Sequence, residues 1–553
     1  MVGCWVSQRV LCYFTNCSSY ERGVAMPAAL LSVYHKDGIV GFARELSALG
    51  WNMFASGGTA RTVREAGVSV RDVAELVGGG AILGHRVVTL SREVHAGLLA
   101  RIPEDEAEMA ALALPYVELV CVDLYPLRAA IAAPNATLAS VIEMTDIGGP
   151  TMLRSAAKGN RIVICDPADR PRVLSWLQEG QPDRDVFINA LAAKAEYIVS
   201  GYCLESARYR GQSTYDGVLG RKVRDCCYGE NRWQSPAALF STETSDPLAL
   251  ERFQLVIGSD PSYINWRDVD RLLQTTTHIA AVFEKNRNAV PLIAVGCKHG
   301  NPCGAAVGTD PSDTIHRMAV GDPLALFGGI VMTNFPITAS LAETVLTAGG
   351  KRVLDGVAAP SFDADAVTVL QRKNNRCRLY QNPALGEISA KSLNTEPMLM
   401  PIRGGFLRQP NYTFVLDLTD PQLRPSRPLK ESEDVDMMVA WAVGSTSNSN
   451  TITLVKHGSL IGNGVGQQDR VRGCELAIRR AQRSGHDTTG AVAYSDSFFP
   501  FTDGPATLAD AGIAAILTSS GSVNDQKVLE LCHERNVTLW MIPDAHGRGF
   551  FGH

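Results

Sequence analysis

From Ala29 onward, apolar runs and amphipathic stretches alternate along the chain. "ALLSVY" (29–34) reads as a buried strand. "KDGIVGFARELSALG" (36–50) then places Ile39, Phe42, Ala43, Leu46 and Leu49 on one helical face, with Asp37 as the expected N-cap and Gly50 as terminator. "WNMFASGG" (51–58) is strand-like and ends in two glycines, and "TARTVREAG" (59–67) starts a second helix. "VELVCVDLYP" (117–126) and "RIVICDP" (161–167) are further buried-strand patterns, each closed by a proline turn. Strands alternating with helices predict a parallel sheet covered on both faces. Ligands of such sheets bind at the carboxyl ends of the strands.

A helical pattern, "RDVFINALAAKAEYIVSGYC", covers 184–203. The polar "ESARYRGQSTYDGVLGRKVRD" after it predicts a domain boundary near residue 220. Beyond it the α/β alternation resumes, from "PLIAVGCKHGNPCG" (291–304) to "TITLVKHGSLIGNGVGQQ" (451–468) and "AVAYSDSFFPF" (491–501). A proline-rich interval of low periodicity, 401–430, separates two lobes of this larger part, and no short-period repeat is visible. The expected domains are therefore 27–219 and 220–553. Residues 1–26 form a leader, read either as disordered or as upstream of a true start at Met26, and are set aside from the fold.

The 553-residue length exceeds one core and suggests roughly three to four domain-sized units. Hydrophobic residues are 45% and charged ones 20%, which supplies enough apolar material for buried sheets. A net charge of −5 gives no reason to expect a nucleic-acid partner. Thirteen cysteines in this length do not resemble a disulfide scaffold, so reduced thiols in a cytoplasmic protein fit best. No apolar run approaches the roughly 18–20 residues that cross a bilayer.

Four short stretches carry candidate chemistry, and each has a plainer reading. Ser56, Gly57, Gly58 and Thr59 lie between a strand and a helix, where glycines admit an anion to free N–H donors; a simple turn fits equally. "TDIGGPTMLRSAAK" (145–158) joins Asp146 to paired glycines and a helix carrying Arg154 and Lys158, which also describes a helix start with an exposed basic face. "IGNGVGQQDR" (461–470) invites a dinucleotide-binding reading, but its glycines at 462, 464 and 466 lack the helix-packing glycine that such sites need. In "CKHGNPCGAAVG" (297–308), Cys297, His299 and Cys303 lack zinc spacing. There Gly300 and Asn301-Pro302 turn the chain straight after Lys298 and His299. The pair is either a polar turn or a base beside an ammonium, which would keep the imidazole neutral.

Taken in order, "SGGTA", "VHAGLLA", "DLYP" and "DIGGPTMLRSAAK" resemble the cyclohydrolase half of the bifunctional purine-biosynthesis PurH family. "YGEN", "KHGNPCGAA", "FGGIVMTN", "GNGVGQQDR" and "SDSFFPFTD" are similar to its AICAR transformylase half. The resemblance covers 29–553. It implies a methylglyoxal-synthase-like parallel-sheet domain followed by a larger, duplicated, cytidine-deaminase-like α/β domain. It also implies formyl transfer from 10-formyltetrahydrofolate to AICAR, giving FAICAR, and dehydrative closure of FAICAR to IMP. On the same basis His299 is the base, while Lys298 and the Asn450 amide stabilise charge on the formyl oxygen and at the folate leaving nitrogen. Tyr228 and Arg470 match nucleotide-side positions, Phe498 and Asp503 match the folate side, and Asn301 and His553 are further expected substrate-binding positions. In the first half Tyr125, Asp146 and Lys158 match the catalytic cluster. Ser56, Gly57, Gly58, Thr59, Arg86 and Thr89 match phosphate and nucleotide contacts. A homodimer, folate as co-substrate and no catalytic metal, nucleic acid or membrane are implied as well.

The chain departs from the family pattern at several points. Val88 stands where the family carries a lysine, and Cys227 where it carries a phosphate-binding arginine, with Arg224 and Arg232 as candidate substitutes. "SVYHKDG" changes the phosphate loop at Tyr34, His35 and Asp37, and Arg548 sits one position early in the tail. Two other readings follow: a transformylase with a weakened or inactive cyclohydrolase, or a non-catalytic nucleotide-binding protein on the same scaffold.

Overall fold

The computed structural model describes residues 27–84, 86–425 and 430–547. The expected leader 1–26, Arg548 and His553 lie outside the described residues. The chain separates into two compact units between Leu219 and Gly220.

The first unit is built on five parallel strands: β1 Ala28–Ser32, β2 Asn52–Ala55, β3 Arg71–Asp72, β4 Val117–Val122 and β5 Ile162–Ile164. Their spatial order is β3-β2-β1-β4-β5. Consecutive residues along β1 and β5 are buried, and successive side chains of a strand face opposite ways, so both faces are covered. Leu30, Leu31, Leu119 and Ile162 are sealed in this core, each contributing roughly 1.5–3 kcal/mol by burial. The first helix, Ile39–Ala48, buries Ile39, Phe42, Ala43 and Leu46 as the spacing required. Its N-cap is Gly38 at φ 69°, not Asp37. The Asp37 carbonyl instead accepts from Arg170 Nη1 at 2.7 Å. Leu49 ends the helix and is exposed. The helix expected over 184–203 runs on to Arg210, because "ESARYR" holds good helix formers.

The second unit contains a 12-stranded sheet. A separate pair, β6 Arg221–Cys226 and β7 Ala237–Ser241, precedes it. Six strands come from its first half: β8 Gln254–Ile257, β9 Leu292–Lys298, β10 Asn301–Gly308, β11 Ile330–Thr333, β12 Gly356–Ala359 and β13 Arg378–Gln381. An exposed hairpin, β14 Met398–Ile402 with β15 Gly405–Gln409, lies in the proline-rich interval. The second half adds β16 Arg424–Pro425, β17 Ile452–Lys456, β18 Ser459–Gly464, β19 Val492–Ser495, β20 Ala515–Ser520 and β21 Thr538–Pro543.

The sheet order, β16-β21-β20-β19-β17-β18-β10-β9-β11-β12-β13-β8, reads the same from either edge. Each half runs from a helix into an antiparallel hairpin and then through three strands that pair in parallel. The larger domain is thus a duplicated mixed α/β fold. The copies meet where β10 pairs antiparallel with β18 at Ala306 and Ser459.

The glycine-rich stretch at 462–466 is explained by packing. A β-carbon on Gly462 would meet the Ala477 carbonyl at 2.3 Å, and one on Gly464 the Gly473 carbonyl at 2.2 Å. The helix Arg470–Arg483 therefore lies directly on β18. Gly464→Ala should destabilise the second unit by about 3 kcal/mol or more, because the obstruction is backbone on both sides. Urea unfolding of the second unit, followed by far-UV dichroism, measures this; a loss under about 0.5 kcal/mol would contradict the packing.

Candidate functional site

In the larger unit the site starts from a tight turn. Lys298 ends β9, Asn301 begins β10, and His299 and Gly300 between them have φ of 54° and 71°. Two left-handed residues in succession form the type I′ turn whose twist matches that of paired strands. Lys298 Nζ donates to the Phe327 carbonyl at 2.5 Å, and His299 is exposed. Both line a cavity of about 580 Å³, with Asn463 and the helix residues Arg479, Arg480 and Arg483 on other walls. Arg480 Nη1 pairs with Asp322 Oδ2 at 2.7 Å.

Side-chain amides tie this turn to the second half. Asn301 Oδ1 accepts from the Asn448 N–H at 3.1 Å, and Asn463 Nδ2 donates to the Pro302 carbonyl at 3.0 Å and Ser447 Oγ at 3.1 Å. Two residues past Asn448, Asn450 exchanges backbone hydrogen bonds with Gln467, and its Nδ2 donates to the Gln467 carbonyl at 2.8 Å. Arg470 opens the helix that follows and pairs with Asp496 at 3.3 Å. Asp496 is 1% exposed, and its second oxygen accepts from the Thr451 N–H at 3.1 Å. Burial holds its carboxyl above the ordinary range, against the pull of Ser449 and Arg470.

The structure thus links Lys298, His299, Asn301, Asn450 and Arg470 through one hydrogen-bonded framework. Tyr228 is fixed separately, its carbonyl accepting from the Tyr263 N–H at 3.0 Å at the start of the helix Tyr263–Arg287. Phe498 lies two residues beyond Asp496, near Gly521, and Asp503 is an exposed first residue of the helix Asp503–Asp510. Neither lines the 580 Å³ cavity. Cys227 is exposed, and Arg224 and Arg232 stand on or beside the β6–β7 pair. Cys297 is fully buried and Cys303 Sγ lies 3.6 Å from the Gly296 carbonyl. Among the described residues no group of three His, Cys, Asp or Glu side chains could hold a metal ion.

In the first unit the candidate residues gather at the carboxyl ends of β1, β2 and β4. Ser56 Oγ lies 2.8 Å from Ser32 Oγ, and Thr59 Oγ1 accepts from the Val33 N–H at 3.2 Å. Gly57 and Gly58 form the start of the helix Gly57–Glu65, where backbone N–H groups lack intrahelical partners. A β-carbon on Gly58 would lie 4.0 Å from Lys36 Nζ, so an ammonium stands beside this helix start. Asp123 accepts from the N–H groups of Tyr34 and His35 and holds that loop in place.

Asp146 Oδ1 accepts from the Gly149 N–H at 2.9 Å at the start of the helix Gly148–Lys158. The Asp146 N–H donates to Tyr202 Oη at 2.7 Å, and that hydroxyl donates to the Met144 carbonyl at 3.3 Å. Burial raises the Asp146 carboxyl above its usual 3.8, while the Gly149 N–H pulls it back. Tyr125 is raised by burial first and by Asp146 second, which places the two side chains within electrostatic reach. Lys158 is exposed at the far end of the helix, about 15 Å along its axis from Gly148. The three residues do not form one contact cluster. Thr89 is buried against Gly148, Arg86 pairs with Glu143 at 3.0 Å, and Val88 packs on the core.

Sequence reasoning missed Lys36, Asp123, Asp268 and Asp496. Asp268 accepts from the Gly300 N–H at 2.7 Å and is 3% exposed. An acid in the buried face of a helix was the available signal.

A family model described as AICARFT/IMPCHase bienzyme matches residues 156–480, and an MGS-like domain model matches 38–151. The chain is 34% identical over 522 residues to the "Bifunctional purine biosynthesis protein PurH" of Anoxybacillus flavithermus, covering 92% of this chain and 97% of that protein. It is 34% identical over 547 residues to the protein of the same name from Neisseria meningitidis, covering 94% and 99%. A solved structure titled "Crystal structure of ForH" is 37% identical, with a TM-score of 0.31, over 34% of this chain and 98% of that one. With more than half of its residues matched by one family model and nearly its whole length shared with PurH relatives, this chain belongs to the AICARFT/IMPCHase bienzyme family.

Proposed function

We propose that the chain carries out the last two steps of IMP synthesis, with formyl transfer in the larger unit and ring closure in the smaller one. The Lys298–His299 turn, open to a cavity and tied to the Asn450 loop, carries this reading. AICAR presents an aromatic amine, a weak nucleophile. His299 takes a proton from that amine as its nitrogen attacks the formyl carbon of 10-formyltetrahydrofolate. Negative charge then builds on the formyl oxygen, where Lys298 and Asn450 stabilise it. Lys298 gives one of its three N–H donors to Phe327 and Asn450 one of its two to Gln467, so each keeps donors for the substrate. The C–N10 bond breaks, and the folate nitrogen leaves with a proton. The arginines across the cavity give anionic substrates a cationic wall.

In the smaller unit the Ser56–Thr59 helix start and Lys36 suit the nucleotide phosphate. Asp146 takes a proton from the carboxamide nitrogen as that nitrogen attacks the formyl carbon, and Tyr125 protonates the formyl oxygen to give a carbinolamine; its hydroxyl then leaves with the formamide N–H proton as water. Lys158 reaches this chemistry only through a substrate lying along its helix. Arg86, Thr89, Tyr228, Phe498, Asp503 and His553 are proposed substrate contacts, and a cytoplasmic homodimer is the proposed working form. Among the described residues no helix is long and apolar enough to cross a membrane.

Incubation with AICAR and 10-formyltetrahydrofolate should yield IMP; accumulation of FAICAR would leave only the transferase, and no turnover would refute the reading. His299→Ala should lower formyl transfer by about 10²–10⁴-fold and spare closure of supplied FAICAR. Surviving formyl transfer would refute His299 as the base.

Ring closure has its own pH signature. With Asp146 as base, kcat falls as pH drops through a carboxyl value raised above 3.8, and Asp146→Asn should abolish that acid limb. A limb that persists in the variant would assign it to another group.

A further inference from the structure

Two turns in the larger unit are built alike, and one of them opens into the cavity. Lys298-His299-Gly300 joins β9 to β10, and Lys456-His457-Gly458 joins β17 to β18. The histidine and glycine have φ of 54° and 71° in the first, and 55° and 68° in the second. Glycine adopts this region freely, whereas each histidine is held there at a cost of roughly 1–2 kcal/mol. The surrounding structure has to impose that conformation.

In each half an aspartate does so from the helix that precedes the hairpin. Asp268 is the sixth residue of Tyr263–Arg287, and Asp436 the sixth of Glu431–Ser445. Asp268 is 3% exposed and Asp436 4%. Asp268 Oδ1 accepts from the Gly300 N–H at 2.7 Å and from the Cys297 thiol at 3.6 Å, and the His299 N–H is directed at the same carboxylate. Asp436 accepts from the His457 N–H at 3.1 Å and from the Gly458 N–H. Even the lysines match, with Lys298 Nζ on the Phe327 carbonyl and Lys456 Nζ on the Asp487 carbonyl at 3.1 Å. They differ in one respect. Lys456 also meets the Asp487 carboxylate at 3.1 Å, while Lys298 and His299 face the cavity.

We infer that Asp268 is a positioning residue for formyl transfer, fixing the turn on which Lys298 and His299 stand so that both aim into the cavity. The inference rests on the proposed function. A carboxylate offers two acceptors to successive N–H groups, and charge-assisted bonds of this kind are about twice as strong as neutral ones. Its charge also lies within electrostatic reach of the His299 side chain. Displacement of reacting groups by about 1 Å costs on the order of 10²-fold in rate.

The second turn is a control within the same chain, because Asp436 performs the same task where no chemistry is proposed. Asp268→Asn and Asp436→Asn, made in the full chain, each keep one acceptor and the side-chain shape. Amide hydrogen exchange should quicken at residues 297–301 in the first variant and at 456–460 in the second. Formyl-transfer kcat should drop about 30-fold or more in Asp268→Asn, with KM for AICAR within about threefold, and stay within about threefold in Asp436→Asn. Closure of supplied FAICAR should be unchanged in both. If Asp268→Asn does not fold, Asp268→Ser replaces it under the same criteria. Equal kcat losses in the two variants, or an Asp268 variant with wild-type kcat, would overturn the inference alone. A wild-type chain that transfers no formyl group would overturn the proposed function and the inference with it.

Discussion

The pairing of β10 with β18 is the constraint on which the larger unit depends. Without it, two six-stranded halves would each expose an unpaired edge, which sheets avoid. With it, the turn of the first half lies beside the loop that enters the second. The bonds from Asn301 to Asn448 and from Asn463 to Pro302 are made across this seam. Val307 donates to the Gly458 carbonyl at 3.0 Å on the other side of the same seam. The turn that carries Lys298 and His299 in one copy and the loop at Asn448 in the other are joined because two edges needed partners.

Buried carboxylates hold this arrangement together. Asp268, Asp436 and Asp496 are almost fully enclosed, and each accepts from backbone N–H groups of a turn or strand entry. Burial pushes each carboxyl above the ordinary carboxylate range. The hydrogen bonds they accept oppose that shift. Such groups are costly if left unpaired, and that cost makes the turn geometry hard to alter.

Local periodicity made the strands and helices of the first unit legible, along with the strand ends where Ser56 and Thr59 stand. It also exposed the polar turn at Lys298. The capping role of Asp37 was misread because Gly38 reaches a left-handed conformation that no side-chain cap needs. Lys158 looked close to Asp146 in a short motif, yet a straight helix carries it away. The buried aspartates were illegible for a different reason. Asp268 meets its partner 32 positions on and Asp496 its partner 45 positions back, and only tertiary pairing supplies those distances. The duplication left one trace in the sequence, Lys-His-Gly twice, and its spatial order came from the sheet.

Gly462 and Gly464 draw a nucleotide-binding reading from pattern alone, yet the backbone they admit is the protein's own helix. Selection at these two positions therefore guards a distance between a strand and a helix. A descendant that lost both activities would still be held to glycine there. Glycine retained at 462 and 464 across relatives would thus report that the fold survives, and would say nothing about whether a nucleotide is still bound.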